Sequence, residues 1–138
     1  SERKERDKLE MKKMILDAAM KLFIEEGYES VSIRKIADKI EYSPASIYTY
    51  FPDKDSILFE LHTEGFTKLY EKQLEVQKFS DPAERLIAHG KAYLDFAMAN
   101  PEYYDVMFIM HSPACKIMEL KIWECGDTSY GLLLKNVE

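Results

Sequence analysis

Cysteine, histidine and long apolar runs are scarce in this chain, and each scarcity excludes a class of protein. The 138 residues include only two cysteines, too few for the disulfide framework of a small secreted domain. Neither these cysteines, Cys115 and Cys125, nor His111 has the paired spacing of a zinc site, so we expect no metal or other cofactor. No apolar run reaches the ~18 residues of a transmembrane helix. The charged first residues do not resemble a signal peptide, and we expect a cytoplasmic protein without a membrane partner.

Motifs of enzyme chemistry are also missing. The sequence contains no glycine-rich phosphate loop, no G-x-S-x-G elbow and no H-E-x-x-H pair. Serine, histidine and aspartate are scattered, at positions that helix capping explains. We therefore expect that the chain is not an enzyme.

Basic residues are outnumbered, and the net charge is −6. This balance excludes a protein that coats nucleic acid through bulk positive charge. Residues 1–55 are nearly neutral, with several basic residues between Lys4 and Lys13, and the remainder is acidic. Local basic clusters would have to hold any phosphate.

Apolar residues at helical spacing, interrupted by glycine, proline and capping residues, predict an all-α protein. A first helix is expected over residues 5–26, and Gly27 should end it in a left-handed conformation. Its apolar stripe consists of Met11, Met14, Ile15, Ala18, Ala19, Leu22 and Phe23. Tyr28 should pack back on the last turn.

Two short helices follow in quick succession. Ser32 should cap the first, where Arg34 and Lys35 place two cations at a helix N-terminus and so favour an external anion. Ser43 and Pro44 should begin the second, which Pro52 ends. So tight a connection makes the two helices cross steeply, as in a helix-turn-helix.

The rest of the chain predicts five more helical segments. Asp53 should cap a long helix reaching about Phe79, in which Gly65 either permits a close crossing or a bend. Asp81-Pro82 should begin the next helix, with Gly90 and several alanines allowing close packing. Residues 102–110 are apolar nearly all round and should be buried. Two more helices are expected, at residues 112–125 and from residue 127 onwards.

A family resemblance rests on the joint spacing of these motifs over about fifty residues. The residues that carry it are Ile15-Leu16-Asp17-Ala18-Ala19, Leu22-Phe23, Gly27-Tyr28, Val31-Ser32-Ile33-Arg34-Lys35-Ile36-Ala37, Tyr42-Ser43, Ile47-Tyr48, Tyr50-Phe51, Lys54-Asp55 and Ile57-Leu58. Residues 10–60 resemble the N-terminal domain of TetR-family transcriptional repressors. One departure is Ile40-Glu41, where such proteins often have Ala-Gly, and Glu41 is expected to adopt a positive φ at a cost of about 1 kcal/mol.

The resemblance implies two domains, a DNA-binding domain at residues 1–53 and a helical ligand-binding and dimerisation domain at residues 54–138. The expected function is a one-component repressor that binds an inverted-repeat operator in double-stranded DNA as a homodimer. Family members usually run to about two hundred residues, so we expect that this sequence is truncated.

The residues expected at the DNA are Ser32, Arg34, Pro44, Ala45, Ser46, Tyr48, Thr49, Tyr50 and Lys54. Ala45 could meet a thymine methyl group, and Ser46 or Thr49 could bond either base type. No Arg, Asn or Gln lies on the helix that Ser43 begins, so Arg34, DNA shape or water should contribute to sequence discrimination.

The resemblance also implies a pocket for a small, largely apolar or aromatic inducer. Its expected lining is Tyr93, Phe96, Tyr103, Met107, Phe108, Met110, His111, Met118 and Trp123. The same residues could simply fill a core. The alternative function is a helical ligand-binding or adaptor protein that keeps the fold without binding DNA, consistent with the acidic total charge.

Overall fold

The structure, a computed structural model, describes residues 1–109 and residue 131. Within these residues every regular element is helical, so the all-α prediction is confirmed. The helices are α1 (Glu2–Glu26), α2 (Ile33–Lys39), α3 (Pro44–Tyr48), α4 (Lys54–Glu75), α5 (Pro82–Ala99) and α6 (Pro101–Tyr104). Short 3-10 turns at Tyr28–Ser30 and Val76–Lys78 follow α1 and α4, and a π-helical turn at Asp105–Ile109 extends α6. The helices expected at residues 112–125 and from residue 127 lie outside the described residues.

Four helices begin at the capping residues that the sequence predicts. In each case the side chain of the cap accepts a hydrogen bond from the backbone N–H three residues later, which satisfies one free donor of the first turn. The pairs are Ser32 with Lys35 (3.1 Å), Ser43 with Ser46 (3.3 Å), Asp53 with Ser56 (2.7 Å) and Asp81 with Glu84 (3.2 Å). These helix starts are confirmed.

The end of α1 differs in one detail from the prediction. Gly27 has a positive φ of 84°, but its ψ of 148° is extended rather than left-handed helical. The extended ψ turns the chain back, and Tyr28 is buried with its ring centroid 5.2 Å from that of Phe23. The expected packing of Tyr28 on the last turn is thereby confirmed.

The first core lies between the helices α1, α2, α3 and α4. Its fully buried side chains include Ile15, Phe23, Ile36, Ile47, Ile57, Leu58 and Leu61. Val106, far along the chain, packs into the same core. Met14, expected in the buried stripe of α1, is 41% exposed, because the core covers a narrower side of the helix than the stripe suggests.

A second, smaller core lies between α4, α5 and the π-helical turn, and Gly65 permits its closest contact. A β-carbon on Gly65 would collide with the Sδ atom of Met107 and lie 3.0 Å from its Cγ atom and 3.3 Å from Cδ1 of Tyr103. The close-crossing prediction is confirmed. Gly90 has no atom within 4 Å of such a β-carbon, so close packing there is wrong for the described residues.

The segment expected to be buried on all sides is buried on one. Val106 and Met107 are buried, whereas Phe108 is 42% exposed and Ile109 is 64% exposed. Among the described residues, this turn packs against α1 and α4, and its Phe108 ring also contacts Tyr93 of α5. Apolar composition therefore overestimated its burial.

Candidate nucleic-acid interface

The connection between α2 and α3 sets the angle of the helix-turn-helix. The N–H of Tyr42 donates to the carbonyl of Ala37 (3.0 Å), and that of Glu41 donates to Asp38 (3.2 Å). These are the paired bonds of a Schellman motif, which requires a left-handed residue after the helix. Glu41 supplies it with a φ of 62°, as the sequence predicts.

Helix α3 is anchored by its apolar side and leaves the other side in solvent. Ile47 and Phe51 are 0% and 6% exposed, and both pack into the first core. Ala45, Tyr48 and Thr49 are exposed, with Tyr48 at 54%. The helix ends at Tyr48, four residues before Pro52, where the sequence predicted its end. A small protruding helix of this kind matches the dimensions of a DNA major groove.

The hydroxyl groups of α3 have partners within the protein. The Oγ atoms of Ser43 and Ser46 lie 3.1 Å apart, and the Thr49 hydroxyl donates to the carbonyl of Ala45 (3.1 Å). Each hydroxyl retains acceptor capacity toward a base. Pro44 and Tyr50 are half-buried, and Tyr50 packs against the first core. The phenol of Tyr48 is therefore the most accessible large group of this surface.

The cations at the starts of α2 and α4 differ in their contacts within the protein. Arg34 is exposed at the start of α2, beside the capping residue Ser32, which is exposed too. The Lys35 ammonium donates to the Ser30 carbonyl (2.9 Å) and lies 3.7 Å from Oε1 of Glu26, while its side chain remains 48% exposed. The external anion expected at the start of α2 stays a prediction.

Lys54, expected at the DNA, has partners within the protein. Its ammonium donates to the carbonyls of Tyr28 (2.9 Å) and Val31 (3.1 Å) and lies 4.3 Å from the centroid of the Tyr28 ring. This geometry directs the charge toward the α1–α2 connection. The carbonyls come from residues distant in sequence, so no local pattern could have shown these contacts.

Some of the expected ligand-binding residues form an aromatic cluster. The Tyr93 hydroxyl donates to that of Tyr104 (3.1 Å), and Phe108 lies with its centroid 5.8 Å from Tyr93 and 5.6 Å from Phe66. Burial, and then the hydrogen bond to Tyr104, raise the pKa of Tyr93 to about 12, so its phenol stays neutral. Phe66 and Tyr104 also belong to this cluster, although they were not among the expected ligand-binding residues.

The remaining expected ligand-binding residues are placed differently. Phe96 is fully buried and Met107 is 9% exposed in the second core. Tyr103 instead donates to Oε2 of Glu64 (2.7 Å) and lines a groove of about 590 Å³ between α1 and α4. Burial, and then its hydrogen bond with Glu64, raise the pKa of Tyr103. Met110, His111, Met118 and Trp123 lie outside the described residues.

Buried polar side chains on α4 and α5 were not foreseen. His62 is 6% exposed, and its Nε2 atom has no hydrogen-bond partner among residues 1–109. Gln73 and His89 are buried with their Nε2 atoms 3.1 Å apart. Burial lowers the pKa of both histidines. Their positions fit the apolar spacing of α4 and α5, and this spacing could have identified them.

Comparison with known proteins identifies the family. The family model "Bacterial regulatory proteins, tetR family" matches residues 15–61, which include all of α2 and α3. Residues 15–61 belong to the TetR family. It is 33% identical over 113 residues to YobS, an uncharacterized transcriptional regulator of the helix-turn-helix type from Bacillus subtilis, and the match covers 80% of this chain and 58% of YobS.

Two other TetR-type proteins extend the comparison. KstR, a transcriptional repressor of Mycobacterium tuberculosis, is 35% identical over 60 residues, 44% of this chain and 27% of its own length. The crystal structure of PfmR, a TetR-family regulator from Thermus thermophilus, superposes with a TM-score of 0.72 at 25% identity, covering 89% of this chain and 68% of PfmR. The chain thus spans little more than half the length of YobS.

Within residues 1–109 and 131, none of the helices combines the length and the apolar character needed to cross a bilayer.

Proposed function

We propose that this TetR-family regulator is a repressor that occupies an inverted-repeat operator as a homodimer. The observation that carries the proposal is the exposed side of α3, held in place by the buried Ile47 and Phe51 and by the Schellman turn. KstR, one of its relatives, is a repressor, which supports this direction of control. Repression would follow from steric occlusion of the promoter.

The two copies of α3 would enter successive major grooves about 34–36 Å apart. Pro44, Ala45 and Ser46 begin the helix and would lie nearest the bases, with the methyl group of Ala45 available to thymine. The hydroxyls of Ser46 and Thr49 can exchange their internal bonds for bonds to bases.

Phosphate contacts would come from groups around this helix. Tyr48 and Tyr50 can donate through their phenols, and Arg34, with Ser32 beside it, would approach from the start of α2. Because α3 carries no Arg, Asn or Gln, bidentate readout of G or A is absent from it. Sequence-dependent DNA shape and water would supply part of the specificity.

Control would come from a small, largely apolar or aromatic ligand in a domain that begins at α4. Tyr93, Phe96, Met107 and Phe108 offer aromatic and thioether surface for such a ligand, and Phe108 is not fully covered. A ligand that binds one conformation better shifts the population of dimers whose two reading heads match the half-sites. Residues 1–53 would form the DNA-binding unit and residues 54–138 the ligand-binding and dimerisation unit.

A nuclease protection assay on the region upstream of the protein's own gene tests the proposal. We expect a protected inverted repeat at low salt, and affinity that falls steeply with salt, because phosphate contacts release counterions. Failure to protect any inverted repeat at low salt would refute DNA binding and favour a helical ligand-binding or adaptor protein. Mass spectrometry of small molecules that co-purify with the protein would identify the ligand class.

A further inference from the structure

The connection between α1 and α2 is held by lysine side chains from outside it. Three of its backbone carbonyls, those of Tyr28, Ser30 and Val31, accept hydrogen bonds from ammonium groups. Lys54 contributes two of these bonds and Lys35 contributes one. Hydrogen bonds to charged groups are stronger than neutral ones, so this turn depends on the two cations.

Lys54 makes its bonds from the first residue of α4, on another part of the chain. It also lies against the face of the Tyr28 ring, 4.3 Å from the centroid, where the π electrons favour a cation. The accepting carbonyls belong to Tyr28, the first residue of the 3-10 turn, and to Val31, which ends the turn and directly precedes Ser32, the cap of α2. Lys54 therefore connects the start of α4 to the start of α2.

We infer that Lys54 is a positioning residue that fixes the N-terminus of α2, with Ser32 and Arg34, against α4, and that it is not a phosphate ligand. The consequence for DNA rests on the proposed function, whereas the contacts themselves do not. Any rotation of α4 would be transmitted to Arg34 through these two hydrogen bonds.

The alternative role, a direct phosphate contact, differs in a measurable quantity. A protein that loses one phosphate contact per protomer loses about 0.9 per protomer from the slope of log affinity against log salt. A residue that acts by positioning Arg34 removes nothing further from the slope once Arg34 is absent, whereas a direct phosphate ligand removes another 0.9 or so per protomer. The salt dependence therefore distinguishes the two roles.

The experiment compares three single variants and one double variant of the full chain on the protected operator. Lys54→Met should lower affinity by between about tenfold and a hundredfold, since Lys54 makes two bonds and each bond to a charged group is worth a factor of about ten. The double variant Lys54→Met/Arg34→Ala should have the same salt slope as Arg34→Ala alone. Arg34→Ala should lower the slope by about 0.9 per protomer. Lys91→Met removes the same charge as Lys54→Met from an exposed position on α5 and should leave both quantities unchanged.

A measurement without DNA tests the contacts independently. Amide hydrogen exchange at Ser30 and Val31 should accelerate by about tenfold or more in Lys54→Met, because these amides close the turn that Lys54 holds. Exchange at Ile57, inside α4, serves as the internal reference. If the wild-type protein protects no DNA, the proposed function fails, and this exchange result still decides the role of Lys54 in the turn.

Three results would overturn the inference. A slope lower by a further 0.9 or so per protomer in Lys54→Met/Arg34→Ala than in Arg34→Ala would return Lys54 to the phosphate contacts. Unchanged exchange at Ser30 and Val31 would show that the turn does not depend on Lys54. Faster exchange with unaltered operator affinity would leave Lys54 without influence on DNA binding.

Discussion

Replacing Glu41 by glycine should stabilise the protein by about 1 kcal/mol. Glu41 is the residue of the α2–α3 turn with a φ of 62°, a conformation that costs an L-residue about 1–2 kcal/mol and costs glycine almost nothing. Glycine also lowers the stability by about 0.4–1 kcal/mol, because it makes the unfolded chain more flexible. The relief of strain is larger than this loss, so the free energy of unfolding should increase. The Schellman bonds from Glu41 and Tyr42 use backbone groups and survive the substitution.

Urea and thermal unfolding of the full chain measure this effect, and about 1 kcal/mol corresponds to roughly 3–5 °C in Tm for a chain of this size. Glu41→Ala is the matched control, because it removes the carboxylate and keeps the β-carbon. Glu41→Gly should exceed Glu41→Ala by about 1 kcal/mol. Equal stability of the two variants, or a loss on introducing glycine, would refute the strain argument.

The remaining predictions concern packing, DNA contact and pH. Gly65→Ala should destabilise by about 1 kcal/mol in urea unfolding, since the clash with Met107 outweighs the gain in helix propensity. Combined with Met107→Ala, which removes the clashing atoms, Gly65→Ala should cost less than it does alone, so the two losses should not add. Tyr48→Ala should weaken operator binding about tenfold without changing the circular dichroism, whereas Tyr48→Leu restores bulk but not binding; equal affinities would remove the phenol from the interface. Burial lowers the pKa of His62, so its contribution to stability is present above the unfolded-state pKa of about 6.5 and is lost as pH falls through the folded-state pKa. His62→Leu should flatten the decline in unfolding free energy between about pH 7 and pH 5, and an unchanged decline would contradict this.

Local chemistry explains what could be predicted from the sequence. Capping depends on residues three positions apart, so Ser32, Ser43, Asp53 and Asp81 could be assigned without knowing the fold. The positive φ of Glu41 was predictable from the resemblance, because glycine often stands at this position of the turn in TetR-family proteins.

Contacts with residues that are distant in sequence could not be predicted. The carbonyl partners of Lys54 lie 26 and 23 residues before it, in a turn whose position only the fold determines. The exposure of Phe108 and Ile109 likewise depends on which side of their turn the neighbouring helices cover. Composition gives the total apolar surface but not its direction.

The π-helical turn joins the two cores through consecutive residues. Val106 packs into the core of α1 and α4, and the next residue, Met107, packs into the core of α4 and α5 against Gly65. Protein cores are packed so tightly that a movement of one of these two residues displaces the other. A ligand that displaced Met107 would therefore also move Val106, and the first core with it. A shift of this turn is thus a second route, beside a rotation of α4, from the proposed ligand pocket to the DNA-binding helices.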